Sequence, residues 1–261
     1  METIPSFKYQ SYLNIHIEIL RFSLYWPNNE ASKMKRRLYK VYSVTVFFLV
    51  YVLYGISETM YMILARNNFN DIIKGFFLFI TNTIYFVKLF FLVKKNDLYQ
   101  EIVRNMGDEV FQPKRFSEYL LSTDNMRGGK RITLMLIIVG LITWAGLATY
   151  PIVYHTKEST IVGWFPFNKT RSPQFELTHA YQASALLLHE LSHTTLDSLT
   201  TMVFTFICGQ LDSMNEVLIN LRTYAIEHIT NQREEVCEDT ISKEMNALLI
   251  NCVQKHWKIL K

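Results

Sequence analysis

Cysteine is scarce and late: Cys208, Cys237 and Cys252 are the only three in 261 residues, which excludes a small secreted domain stapled by disulfides. No glycine-rich phosphate loop, Ser-His-Asp arrangement or Cys-x-x-Cys pair occurs, so no cofactor and no enzymatic chemistry of those kinds is expected. An Arg-rich tract interleaved with aromatics is also missing, and with it the surface a nucleic acid would need, although the formal net charge is +4. Residues 1–26 carry Lys8, Glu18 and Arg21 and have no small-residue cleavage site behind a hydrophobic block, so no cleaved signal peptide is expected. What is abundant is apolar surface, at 49% hydrophobic and 14% aromatic residues. Mean hydropathy is nevertheless only +0.08, because long uncharged runs alternate with strongly charged segments. That unevenness excludes disorder and argues for an all-α, multi-pass membrane bundle rather than one soluble core.

Residues 41–57 contain no charge and the apolar character resumes over 59–64, giving roughly the 20 residues that a bilayer-crossing helix requires. Glu58 interrupts this first span in its last third, where interfacial water or a wet cavity is within reach. A second span, 75–93, is dense in Phe, holds Asn82 at its middle and carries Lys88, expected to snorkel to the nearby interface. Antiparallel succession places Glu58 and Lys88 near opposite membrane faces, so no pairing between them is expected. Residues 132–154 are wholly uncharged, with Pro151 close to the end of this third span. The fourth, 180–209, is interrupted by Gln182, His189, Glu190, His193 and Asp197 and must face protein or water rather than lipid. Ahead of the first span, Ile15, Ile19 and Phe22 share a helical face, either an amphipathic helix on the membrane surface or an ordinary cytosolic one.

Basic residues concentrate in two of the connecting regions. Lys8, Arg21, Lys33, Lys35, Arg36, Arg37 and Lys40 precede the first span; Lys94, Lys95, Arg104, Lys114, Arg115, Arg127, Lys130 and Arg131 lie between the second and third. The other loops hold only Arg66 and Lys74, and Lys157, Lys169 and Arg171. The amino terminus is therefore expected in the cytoplasm and, with four spans, the carboxyl end too. The resulting division is 1–40 cytoplasmic, 41–209 transmembrane and 210–261 a cytoplasmic helical segment. Asn168-Lys169-Thr170, a glycosylation acceptor triplet, falls in the second outer loop.

Beyond Gly209 the helical pattern continues through Leu211, Met214, Leu218, Leu221 and Ala225, breaks over 233–239, and resumes with Ile241, Met245, Leu248, Leu249 and Cys252 on one face. It is still running at Lys261, without a stop signal, as expected of a piece of a longer chain. The fourth span contains His189-Glu190-Leu191-Ser192-His193, which matches the zinc-protease pattern H-E-x-x-H. A hydrolytic zinc needs a third ligand, and the downstream candidate is Glu216, roughly 35 Å along the same helix by helical rise. Two readings follow: an intramembrane metalloprotease using His189 and His193 with Glu190 as base, or a polar stripe in which His189, His193 and Asp197 satisfy one another.

Several short blocks, in order and at their spacings, resemble the insect odorant receptor family. These are Leu24-Tyr25-Trp26-Pro27 before the first span, Lys88-Leu89-Phe90-Phe91 and Asn96-Asp97-Leu98-Tyr99 at the end of the second, Trp164-Phe165-Pro166-Phe167 with Ser172-Pro173 before the fourth, and Cys252-Val253-Gln254-Lys255-His256 with Ile259-Leu260 at the end. The resemblance implies four of seven transmembrane helices. It also implies a receptor in the cell membrane that binds a small volatile odorant and, in a hetero-oligomer with a co-receptor subunit, gates a cation channel. The pore-lining last helix of the family has no counterpart in these residues. A gustatory receptor or transporter of similar topology is a further reading. The family's pocket lies in the outer half of the bundle between the second, third, fourth and sixth helices. Matching depth along the three present nominates Phe79, Ile80 and Thr83; Trp144, Ala148 and Pro151; and Tyr181, Ala185 and Leu188, with His189 at the lower end. Such walls suit a small, apolar, weakly hydrogen-bonding ligand.

Overall fold

The uncharged runs fold as helices, and polar caps fix where they start. The computed structural model describes residues 6–23, 26, 32–156, 161–232 and 236–260; Leu24, Tyr25 and Pro27 of the first block, Lys157, Lys261 and the start of the 233–239 break lie outside them. Helix α1 is Asn14–Phe22 and α2 is Lys33–Val46. The Ser32 hydroxyl accepts the Lys35 amide at 3.4 Å and opens α2. A π-helical segment, Phe47–Val52, joins α2 without a break to α3, Leu53–Leu64. Helix α4, Phe69–Lys94, starts at Asn68, whose side chain accepts the Asn70 amide at 3.2 Å; Asp71 in its first turn and Lys94 in its last complement the helix dipole. Then follow α5 (Asn96–Asn105), α6 (Phe116–Val153), α7 (Gln174–Ile219), α8 (Leu221–Gln232) and α9 (Glu238–Leu260).

Among the described residues three helices, Lys33–Asn67, Phe69–Lys94 and Phe116–Val153, are long and apolar enough to cross a membrane. The first and third begin well before 41 and 132, because basic turns extend each helix below its uncharged stretch. Helix α7 holds the fourth predicted span and is set apart by polarity. Its buried stripe of Gln182, Ala185, His189, Ser192, Thr195 and Ser198, each 2% exposed or less, follows the i, i+3, i+4 spacing of one face. Hydroxyls on this stripe bond back to the helix, Ser192 to the Leu188 carbonyl and Thr195 to that of Leu191, both at 2.6 Å. These bonds let the hydroxyls of Ser192 and Thr195 stay buried.

The described residues divide into two compact units. One comprises Asn14–Gln100 and Thr133–Ser198. Its core gathers Tyr54, Ile161, Ala185 and Leu186, with Trp144, Leu147 and Leu78 packed against them. Ile161 belongs to the connection before α7, and hydrogen bonds hold that connection in place. Ser57 and Trp164 exchange two, Oγ to carbonyl at 2.8 Å and amide to carbonyl at 3.0 Å, and the Gln182 amide donates to the Ile161 carbonyl at 3.0 Å. A Cβ at Gly163 would lie 2.7 Å from Ser57 Oγ and 2.8 Å from Gln182 Nε2, so this close approach requires glycine. The π segment widens the helix and leaves carbonyls for outside donors; Leu49 accepts the Tyr181 hydroxyl at 2.7 Å. Helix α1 corrects the expected face: His16, Leu20 and Ser23 are its buried line, with His16 Nε2 3.2 Å from Thr133 Oγ1, whereas Phe22 is exposed. The polar His16 decides the rotation, because it has a hydroxyl partner.

The second unit comprises Met1–Leu13, Glu101–Ile132 and Leu199–Lys261. Tyr9 is at its centre. The hydroxyl donates to the Phe111 carbonyl at 3.1 Å, shares a hydrogen bond with Ser122 Oγ at 3.0 Å, and accepts from Gln210 Nε2 at 2.9 Å, while the ring packs edge-on to Phe206. Burial raises the Tyr9 pKa, so the group remains a donor. Tyr9→Phe strands Ser122 and Gln210 and should cost about 1–3 kcal/mol, read as a lower thermal midpoint of the detergent-solubilised chain; an unchanged midpoint would contradict this account. Ile241, with Met245 and Leu248 beside it, packs on Ala225 and Ile229, making α8 and α9 an antiparallel pair. Met214 and Val217 form the buried line at the end of α7, whereas the predicted Leu211 and Leu218 are exposed, as is Leu249 on α9.

Candidate ligand cavity between three helices

Facing segments of α4, α6 and α7, all within the first unit described, enclose a cavity of about 360 Å³. From α4 come Leu78, Asn82 and Tyr85; from α6, Gly140, Trp144 and Leu147; from α7, Leu186, His189, Glu190 and His193. The Trp144 indole donates to the Ala183 carbonyl at 2.8 Å, which fixes its ring plane on the wall. His189 sits in an aromatic cage, its ring 4.5 Å from Tyr51, 5.3 Å from both Tyr54 and Tyr85, and 6.2 Å from Phe86. Its nitrogens lack a hydrogen bond of ordinary geometry, with the Val50 carbonyl as a weak partner.

Charged groups collect around this space. Lys88 Nζ is 2.6 Å from Asp197 Oδ1 and 3.4 Å from His193 Nε2, and His193 Nδ1 is 3.8 Å from Asp197 Oδ2. Lys88 is therefore paired across two helices rather than snorkelling along its own. Glu58 is 3% exposed and accepts the Asn82 amide on both carboxylate oxygens, at 2.8 and 2.7 Å. The two charges that were not expected to meet each have another partner. Glu190 accepts the Thr194 hydroxyl at 3.0 Å.

The nine depth-matched residues do not share one space. Trp144 lines the cavity among the three helices and also a second one, about 690 Å³, with Ala148, Leu188 and His179 between α6 and α7. Phe79 and Thr83 line a third, about 410 Å³, between α3 and α4. Ile80, Pro151, Tyr181 and Ala185 line none of these. Ile80 is exposed, Pro151 is buried, Tyr181 is tied to the π segment, and Ala185 is in the core beside Tyr54. Sequence reasoning missed Gly140, Tyr85 and Leu147. Glu190 was visible in the H-E-x-x-H motif, but not as a cavity wall.

Among the described residues no group of three His, Cys, Asp or Glu side chains is placed to hold a metal ion. Lys88 stands at His193 Nε2, where a cation opposes a metal, and Glu216 accepts the Tyr224 hydroxyl. The donor set thus does not fit the zinc reading. Asn168 is exposed, and its side-chain oxygen accepts both the amide and the hydroxyl of Thr170, at 3.0 and 2.7 Å.

Long apolar helices, a polar-faced helix packed with them and a cavity of small-molecule size define a multi-pass helical membrane bundle with room for a ligand. Residues 68–261 match the family model described as 7tm Odorant receptor, and the chain belongs to that family. It is 22% identical over 191 residues to Odorant receptor 46a, isoform A, of Drosophila melanogaster, covering 72% of this chain and 49% of that one. Its fold is similar to the insect olfactory receptor OR5 from Machilis hrabei, with a TM-score of 0.75 at 16% identity over 96% of this chain and 62% of that one. The same receptor in complex with eugenol gives a TM-score of 0.68 at 18% identity, with the same coverage. The chain therefore spans about half the length of the curated relative it matches.

Proposed function

We propose that the chain is the odorant-binding part of a receptor subunit which, in a hetero-oligomer with a co-receptor subunit, gates a cation channel in the cell membrane. In this reading 1–40 and 210–261 lie in the cytoplasm, 41–209 crosses the bilayer, and Asn168 is on the outer side. The cavity among α4, α6 and α7 carries the reading. At about 360 Å³ it is of the size that takes a compact volatile molecule, and its walls are mainly aromatic and aliphatic. The solved relative in complex with eugenol supports small organic ligands for this family's fold.

Trp144 is the one depth-matched residue on this cavity, though it also borders the neighbouring space between α6 and α7, and Thr83 lines the one between α3 and α4, so the pair separates a ligand at α6 and α7 from one between α3 and α4. With the receptor and co-receptor expressed together, Trp144→Ala should move the odorant dose-response curve by about tenfold or more, equivalent to about 1.4 kcal/mol, with surface labelling unchanged. Thr83→Ala should leave the curve in place. A shift with Thr83→Ala and none with Trp144→Ala would put the ligand between α3 and α4 instead. Currents without the co-receptor would overturn the hetero-oligomer.

A further inference from the structure

Four ionisable side chains of α7 line the cavity, His189, Glu190, His193 and Asp197, and of the two acids among them Glu190 is the one without an ion-pair partner among the described residues. Asp197 is neutralised by Lys88 at 2.6 Å, and His193 lies beside both. Glu190 has the Thr194 hydroxyl on one oxygen at 3.0 Å and no cation within 4 Å among the described residues. Its carboxylate reaches the lumen because the facing residue on α6 is Gly140. A Cβ there would collide with Glu190 Oε1 and come 3.0 Å from its carboxyl carbon. A carboxylate without an ion-pair partner in a membrane helix is costly and points to a functional role.

We infer that this cavity selects ligands carrying a protonated amine on an apolar body, with Glu190 as the residue that recognises the ammonium group. The inference rests on the reading of this cavity as the odorant site and names its ligand class. Glu190 supplies the charge-assisted hydrogen bond. The rings of Tyr85, Trp144 and Phe77 line the same space and offer the aromatic faces that favour a cation, while Leu136, Leu147 and Leu186 hold the hydrocarbon part. A neutral ligand of the same shape would leave Glu190 unpaired and lose that advantage.

The test uses 2-phenylethylamine, 2-phenylethanol and ethylbenzene, which share a skeleton and differ in the polar group, binding to the full receptor in lipid nanodiscs at neutral pH. The amine should bind about tenfold tighter than the alcohol. Glu190→Gln, which keeps an acceptor for Thr194, should erase that gap, read as the ratio of amine to alcohol affinity, and Glu190→Asp should preserve it. No amine preference in the unmodified receptor, or a preference that survives Glu190→Gln, overturns the inference. If the alcohol and ethylbenzene bind with sensitivity to Trp144→Ala but the amine has no advantage, the cavity stands and the amine selectivity falls. If none of the three binds and Trp144→Ala changes no odorant response, the cavity reading fails and this inference fails with it.

Discussion

Asp197→Ala should strip most of the receptor from the cell surface. Lys88 lies in α4, a helix apolar enough to cross a membrane, and its ammonium is 2.6 Å from Asp197 Oδ1 on α7. Removing the carboxylate leaves a lone cation in a transmembrane helix, a cost of about 2.5–3.5 kcal/mol on insertion scales. That is a large share of the roughly 5–15 kcal/mol that holds a domain folded. The two side chains are 36% and 45% accessible, so the lower end of the range applies. Replacing both charges, Lys88→Met with Asp197→Leu, removes the unpaired ion and should restore surface labelling to near the starting level. Labelling of Lys88→Met, Asp197→Leu and the double mutant forms a cycle. Equal loss in Asp197→Ala and the double mutant would show that the ion pair is not what the helices need.

The uncharged runs were legible because lipid imposes a length and a composition on any helix that crosses it. The positions of the three apolar helices, the polar nature of α7 and the break after α8 all follow from patterns of that kind. Partners across helices were not legible. Lys88 reads as a snorkelling residue when only its own helix is considered; its pairing with Asp197 depends on the rotation of α4 against α7, which no pattern within either helix fixes. The same applies to Glu58, whose partner Asn82 comes from the next helix. Tyr9 stands in a short polar stretch with no periodic signal, yet three hydrogen bonds from distant parts of the sequence converge on it.

Depth along a helix is set by counting residues from its end, at 1.5 Å per residue. Rotation is not, and one residue changes the facing direction by about 100°. On α4 the depth-matched Phe79 and Thr83 sit one residue from the Leu78 and Asn82 that line the cavity among three helices. On α7 the cavity runs from Leu186 towards Asp197, which leaves Tyr181 more than a turn short of it and turns Ala185, the residue before Leu186, about 100° away. The π segment adds to this. It shifts α3 relative to an ideal helix, and its freed carbonyl holds Tyr181 away from the lumen. Such a segment has no composition that distinguishes it from ordinary apolar helix.

Gly140→Leu should abolish binding at this cavity, with a loss of affinity of more than about tenfold for amine and alcohol alike. Gly140 is buried where α6 meets α7, and a Cβ there already collides with Glu190. A leucine must push Glu190 from its place and then occupy part of a cavity of about 360 Å³. Overpacking of this kind costs roughly 1–3 kcal/mol in a well-packed core. Here the neighbouring cavity can absorb the added side chain, so folding should survive while the ligand loses its room. A graded series separates the two effects. Gly140→Ala displaces Glu190 and should reduce amine affinity more than alcohol affinity; Gly140→Val and Gly140→Leu should lower both in order of volume, with surface labelling within about twofold of the unmodified receptor. Unchanged affinity in Gly140→Leu at normal surface level would mean that the ligand does not enter between α6 and α7 at this depth. The larger space lined by Ala148 and Leu188 would then be the one to fill, with Ala148→Phe as the corresponding substitution.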